Sequence, residues 1–236
     1  MTATGLNIGV PAKGRLKDAA ASLLEKAGLA LRKTGHERGY RGVIEGMDGV
    51  EVVFLSAAEI VHQLRAGRIH LGLTGEDLVR ETLPDVEGSV DFLAPLGFGR
   101  ADVVVAVPDC WIDVTNMADL EDVAVQFARQ HGRRLRVATK YLNLTRRFFA
   151  RHGVAGYRIV ESVGATEGTP AAGTAELIVD ITTTGTTLKA NHLKVLEDGL
   201  ILQSQAHLVL ARSASWGEEA TGLKDVILDR LSAVSR

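Results

Sequence analysis

The sequence predicts an α/β fold arranged as two lobes. Short apolar runs alternate with helical patterns along the whole chain, the signature of strands joined by helical crossovers in a largely parallel sheet. A second such series opens at Ala101–Val107, a run that is almost wholly apolar and β-branched, as a strand covered on both faces is. The third observation is length: 236 residues exceed the soft expectation of about 150 per domain, yet no flexible linker and no internal repeat interrupts them. Residues 1–101 together with 190–236 are assigned to one lobe and 102–189 to the other, with crossings near Arg100 and Lys189.

Each element has a local reason. Leu6–Val10 is β-prone and stops at Pro11; Leu16, Ala19, Ala20, Leu23, Leu24 and Ala27 then recur at helical spacing up to Gly28. Val50–Leu55 reads as a compact strand. Ser56-Ala57-Ala58-Glu59 is a capping box that opens a helix to about Ala66, where Gly67 ends it. Ile69–Leu73 is a third strand, running into Thr74-Gly75-Glu76-Asp77 and a further helix. In the second lobe, Met117–His131 is helical, Leu135–Ala138 a strand, Leu142–His152 a basic helix and Tyr157–Glu161 a strand. Leu177–Ile181 is the clearest buried strand. Leu200–Gln203 and His207–Leu210 are β-prone, and after Trp216 a terminal helix carries Leu223, Val226, Ile227, Leu231 and Val234 on one face.

Composition removes several function classes. Hydrophobic residues at 46% and charged residues at 24% are globular values and exclude intrinsic disorder. A net charge of −2 offers no global attraction to nucleic acid or to an anionic membrane. No apolar stretch reaches the roughly 18 residues of a membrane helix, and the first ten residues lack a signal-peptide pattern. The single cysteine, Cys110, excludes an internal disulfide, fits a reducing compartment and makes the cytoplasm the expected location. The seven histidines show no metal-binding spacing and no nucleophilic triad order.

Ligands of α/β sheets sit beyond the carboxyl ends of strands, and the most informative such end is Asp180-Ile181-Thr182-Thr183-Thr184-Gly185-Thr186-Thr187-Leu188. A glycine that lets the backbone turn, hydroxyl donors around it and a helix start near Thr186 suit a phosphate monoester. Asp180 would repel a phosphate set on it, so it suits a sugar diol or a metal-bound water; phosphate and sugar together suggest a ribose 5-phosphate. A threonine-rich turn with an N-cap is the structural alternative. Elsewhere, Lys13 and Arg15 flank Gly14 between a strand and a helix, where cations oppose the helix dipole and suit a polyanion instead. Glu76 and Asp77 either cap their helix or contact substrate, with Asp77 preferred for the latter. Arg32, Lys33, Arg38 and Arg41, interspersed with Gly35, Gly39 and Gly42, form either a basic flap over phosphates or a solvated loop; Arg41 is chosen because Tyr40 beside it could hold it in place. Lys140, Tyr141 and Asn143 follow a strand, and Tyr141 either stacks on a base or fills the core.

Glu167, Gly173, Ala175, Ile178, Asp180, Thr184, Gly185, Thr187 and Leu188 together resemble the signature of the ATP phosphoribosyltransferase family, which performs the first step of histidine biosynthesis. The resemblance extends through Lys13-Gly14-Arg15, Thr74-Gly75-Glu76-Asp77 and Ala138–Thr145, with Leu142 where family members commonly carry proline. It implies a fold like the two-lobed type II periplasmic binding proteins, substrates in the cleft between the lobes, and transfer of phosphoribose from phosphoribosyl pyrophosphate to N1 of ATP with release of pyrophosphate. It also implies Mg²⁺ carried by the pyrophosphate or ATP, with no metal site on the protein. By length the chain resembles the short form, whose partner is a regulatory subunit resembling histidyl-tRNA synthetase, in a hetero-octamer. The resulting assignments are Lys13, Arg15 and Arg41 as catalytic; Asp180, Thr182, Thr183, Thr184, Gly185, Thr186 and Thr187 for phosphoribosyl pyrophosphate; and Asp77, Lys140, Tyr141, Asn143 and Glu167 for ATP. The rival reading is a non-catalytic small-molecule binding module on the same fold.

Overall fold

A computed structural model of the chain describes residues 5–34 and 39–234. Arg38 and Gly35 of the basic stretch lie outside the described residues. The chain divides into two compact units, 1–100 with 205–236, and 101–204.

The first unit opens with β1 (Leu6–Pro11), α1 (Gly14–Lys26), β2 (Leu31–Lys33), β3 (Arg41–Ile44), β4 (Met47–Leu55) and α2 (Ala57–Arg65). It continues through β5 (Leu71–Gly75), α3 (Glu76–Thr82), the short α4 (Val86–Ser89) and β6 (Val90–Pro95). The Ser56 hydroxyl accepts the Glu59 N–H at 3.2 Å, one half of the expected capping box, while the Glu59 carboxylate accepts from Gln63. The second unit holds β7 (Ala101–Pro108), α5 (Met117–His131), β8 (Leu135–Thr139), α6 (Leu142–Arg151), β9 (Tyr157–Glu161), β10 (Leu177–Thr182), α7 (Thr186–Ala190) and β11 (Leu193–Ser204). Returning to the first unit, the chain adds β12 (Ala206–Ala211) and α8 (Glu218–Val234).

Two mixed sheets result, ordered β2-β3-β4-β1-β5-β12-β6 and β11-β7-β10-β8-β9. The first sheet is parallel at its centre, where β1 pairs with β4 and β5, and the second is parallel toward one edge, where β8 pairs with β9 and β10. A largely parallel sheet is nevertheless a correction. The β2, β3, β6, β7, β11 and β12 pairings are antiparallel, because hairpins and returning chain rather than helical crossovers supply them.

The second crossing expected near Lys189 lies instead at Ser204. Residues 190–204 belong to the second unit because β11 pairs along its length with β7, Leu193 opposite Pro108 and Ser204 opposite Ala101. The β-prone run Leu200–Gln203 is only the end of that strand; Glu197, Asp198 and Gly199 mask the rest, and the register shifts there. The Asp198 carboxylate accepts the Met117 N–H at 2.8 Å, so the bulge anchors the start of α5. Arg32, Lys33 and Arg41 lie on the β2–β3 pair rather than on an open loop, and the short apolar run Val90–Pro95, closed by proline like β1, forms a further strand, β6. On α8 the buried residues are Ala220, Ile227 and Leu231, while Val226 is 41% exposed and leaves the expected apolar face.

One polar cluster braces the second unit. Glu176, just before β10, accepts hydrogen bonds from Arg133 Nη2 at 3.0 Å, Arg136 Nη2 at 2.6 Å and the Arg136 backbone N–H at 2.7 Å. Burial by itself would push this carboxyl up, but the bonds from Arg136 and Arg133 outweigh it and hold it at about 2. A depressed pKa stabilises the fold above the ordinary glutamate range, and that contribution is lost as pH falls from about 4.5 towards 2. Glu176→Gln is therefore expected to cost roughly 1.5–3 kcal/mol at pH 7 in urea unfolding. The difference from wild type should shrink as pH falls below about 4; a difference constant from pH 7 to 3 refutes the role.

Candidate active site

The hydroxyl-rich loop is built by β10. Leu177, Ile178 and Val179 are fully buried between neighbouring strands, which fixes where Asp180 and the residues after it emerge. Gly185 sits at φ +72, a backbone region that favours glycine, and turns the chain into α7. The turn is braced from within: the Gly185 N–H donates to Thr182 Oγ1 at 2.9 Å, and the hydroxyls of Thr184 and Thr186 lie 2.9 Å apart. Thr183, Thr184, Thr186 and Thr187 are exposed. The loop thus presents a row of hydroxyls on a rigid strand end, with Thr182 committed to the turn itself.

Asp180 is half-buried. Burial pushes its carboxyl up and the negative charge of Glu167 adds to this, whereas the Ile181 N–H, donating at 2.8 Å, and the Lys140 charge pull it down. Three residues separated by up to 40 positions in sequence, Lys140, Glu167 and Asp180, are therefore brought into one electrostatic neighbourhood. Lys140 leaves the carboxyl end of β8 and is exposed; Glu167 lies on a 3₁₀ turn, Thr166–Gly168. Asn143 is exposed on the first turn of α6.

Tyr141 corrects the expectation of base stacking. It is 1% exposed, packed in the apolar core of the second unit with the Lys140 ammonium 5.0 Å from its ring centroid, and so leaves no open surface for a base. Its backbone is held by two threonines. Thr139 Oγ1 accepts the Tyr141 N–H at 2.8 Å, and Thr145 Oγ1 donates to the Tyr141 carbonyl at 2.6 Å. The hydroxyl two residues before Tyr141 is a turn signal visible in the sequence.

In the first unit, Lys13 and Arg15 are exposed at the start of α1, whose first turn contains no acidic residue. Neither side chain has a hydrogen bond or ion pair among the described residues. Unpaired cations at the positive end of a 13-residue helix are a local electrostatic cost that a bound polyanion would remove. Arg41 is not held by Tyr40, whose side chain is 70% exposed; its guanidinium pairs with Glu51 on the adjacent strand at 2.5 Å. Asp77 is 7% exposed in the first turn of α3, with Oδ1 against Gly75, where an added Cβ would fall 2.3 Å from it. That burial favours service to the helix end over contact with ATP.

The model of the HisG, ATP phosphoribosyltransferase, family matches residues 56–233. The chain belongs to the ATP phosphoribosyltransferase family. It is 59% identical over 229 residues to an ATP phosphoribosyltransferase of Rhodopseudomonas palustris (strain BisB18), covering 97% of this chain and 70% of the relative. It is 58% identical over 233 residues to one of Nitrobacter winogradskyi, covering 99% of this chain and 72% of the relative. Among solved structures it is similar to the ATP phosphoribosyl transferase (HisG:HisZ) complex from Thermotoga maritima, with TM-score 0.74, 24% identity and coverage of 98% and 97%. It is similar in fold to the substrate binding protein of an amino acid ABC transporter, with TM-score 0.52, 15% identity and coverage of 96% and 91%. The chain is thus an enzyme, a transferase that moves phosphoribose from phosphoribosyl pyrophosphate to ATP, and its likeness to binding proteins is one of architecture. No described helix is long and apolar enough to cross a membrane.

Proposed function

We propose that the Asp180–Thr187 loop holds the ribose 5-phosphate of phosphoribosyl pyrophosphate, that Lys13, Arg15 and Arg41 neutralise its pyrophosphate, and that Lys140, Asn143 and Glu167 serve ATP. The observation that carries this is the exposed row of threonine hydroxyls around Gly185, held on a buried strand beside the half-buried Asp180. Threonine hydroxyls donate to the phosphate, while the Asp180 carboxylate accepts from the ribose diol.

The chemistry asks for little else. Displacement at ribose C1 passes through oxocarbenium character while pyrophosphate departs, so the site must fix the sugar and stabilise the growing leaving-group charge. Adenine N1 is already a lone-pair nucleophile and needs no dedicated base. Arg15 offers a fork to phosphate oxygens and Lys13 a mobile point charge. The Arg41–Glu51 pair is exposed, with the arginine side chain at 72%, and a pair this open is weak enough to exchange for a phosphate. Mg²⁺ carried by the pyrophosphate adds charge neutralisation there, and hard phosphate oxygens suit it. The chain is read as the short form, cytoplasmic, assembled in a hetero-octamer with a regulatory subunit that resembles histidyl-tRNA synthetase and brings sensitivity to histidine.

Thr184→Ala and Thr187→Ala test the loop. Each removes a donor to the ribose phosphate, at roughly 0.5–3 kcal/mol depending on the charge of the guest, so KM for phosphoribosyl pyrophosphate is expected to rise about 2-fold to 100-fold. KM for ATP should stay within about twofold, because the lost hydrogen bonds lie on the other substrate. A pyrophosphate-release assay in which both variants keep the wild-type KM for phosphoribosyl pyrophosphate overturns the assignment.

A further inference from the structure

The most strongly basic stretch of the chain overlaps this chemistry only at Lys140 and Asn143. Residues 123–160 contain nine Lys and Arg and no Asp or Glu, in a chain whose net charge is −2. Eight of the nine are arginine. The fold gathers several of them at one end of the second unit. Arg129, Arg133 and Arg134 precede β8 and Arg151 precedes β9; the two strands begin side by side, Leu135 opposite Tyr157 and Arg136 opposite Arg158. Lys140 and the candidate substrate residues stand at the other end of β8, about 16 Å along a five-residue strand.

These cations divide into two groups. Arg133 and Arg136 are engaged by Glu176. Arg129, Arg134, Arg151 and Arg158 are exposed, and among the described residues their side chains make no hydrogen bond or ion pair. Arg129 and Arg151 meet the negative ends of α5 and α6, which accounts for part of their placement; Arg134 and Arg158 have no such service, and the four exposed like charges at one sheet end repel one another.

We propose that this end of the second unit is a docking surface for a carboxylate-rich surface of a partner protein. Arginine is the cation enriched at protein interfaces, where lysine is depleted, and its planar fork matches a carboxylate bidentately. Nucleic acid fits less well. The aromatics at hand are not open to bases: Arg133 lies 4.7 Å over the Phe127 ring, and Tyr157 packs edge-on against Phe149. The chain's pI of about 6.4 is also far from that of a nucleic-acid-binding domain. The surface is independent of the substrate assignments above.

Labelled poly-L-glutamate titrated with the full chain at low salt tests the proposal by fluorescence anisotropy. Binding is expected to weaken about 10-fold or more when salt is raised to roughly 0.2 M, as screening requires. Arg134→Gln/Arg151→Gln/Arg158→Gln should weaken it by about 10-fold, and the corresponding triple lysine variant should recover part of the loss. Unchanged pyrophosphate release by both variants confirms that they are folded. No binding at low salt, or equal binding by the glutamine variant, overturns the proposal. Tighter binding of poly-uridylate than of poly-glutamate does so in favour of nucleic acid. A change in sedimentation of the variant chain alone does so in favour of a second copy.

Discussion

Arg15→Ala is expected to lower kcat by about 10² to 10³, or roughly 2.7–4 kcal/mol, while binding of phosphoribosyl pyrophosphate changes far less. Arg15 stands in the first turn of α1, which carries no acidic residue to balance it. Its guanidinium has no partner among the described residues, so none of them accounts for a cation at a positive helix end. In the function proposed above, a leaving pyrophosphate does. Its charge grows as the bond to C1 breaks, so a donor aimed at it gains more in the transition state than in the ground state. Arg15→Lys should recover only part of the rate, because the charge remains and the fork is lost. Pre-steady-state pyrophosphate release gives the decisive reading, since slow product release cannot hide a slowed chemical step. An unchanged burst rate in Arg15→Ala leaves Arg15 as an ordinary solvated helix residue.

Tyr141→Ala should be the most damaging single change to stability in the second unit, by about 3–5 kcal/mol, as for other large aromatic truncations in a core. The ring fills space among β7, β8 and β10 and the helices α5 and α6, and its backbone is held by Thr139 and Thr145. Tyr141→Phe separates packing from any contact with substrate. It keeps the ring volume, so urea unfolding should shift by only about 1 kcal/mol, and KM for ATP should equal that of wild type. A Phe variant of normal stability with a KM for ATP raised severalfold would return Tyr141 to the substrate site.

Tyr141 also marks the boundary of what a sequence can disclose about a site. Following a strand and preceding a helix, next to Lys140 and Asn143, it has the position of a ligand residue. Position in the chain says where a residue emerges, not which way the ring turns. That direction depends on the space left by Leu144, Phe148 and Phe149 one and two turns along α6, all buried in the same core. Arg41 is parallel: its charge was legible, but its partner Glu51 came from strand pairing.

The sequence by itself determined the local elements and the threonine-rich turn that follows Leu177–Ile181. Buried strands such as Leu177–Ile181, the capped start at Ser56, and Gly185 among threonines are written in neighbouring residues, because their causes act over a few positions: β-branching, a hydroxyl reaching an N–H, a glycine turn. Family membership was legible for the same reason, the signature being one contiguous run from Glu167 to Leu188. Only the tertiary structure decided that residues 190–204 stay with the second unit, that Glu176 gathers Arg133 and Arg136, that Lys140, Glu167 and Asp180 share one field, and that β8 and β9 begin side by side and so bring their arginine-rich approaches to one sheet end. Each depends on which segments pair, and that choice is made between stretches far apart in sequence, beyond the reach of a pattern of neighbouring residues.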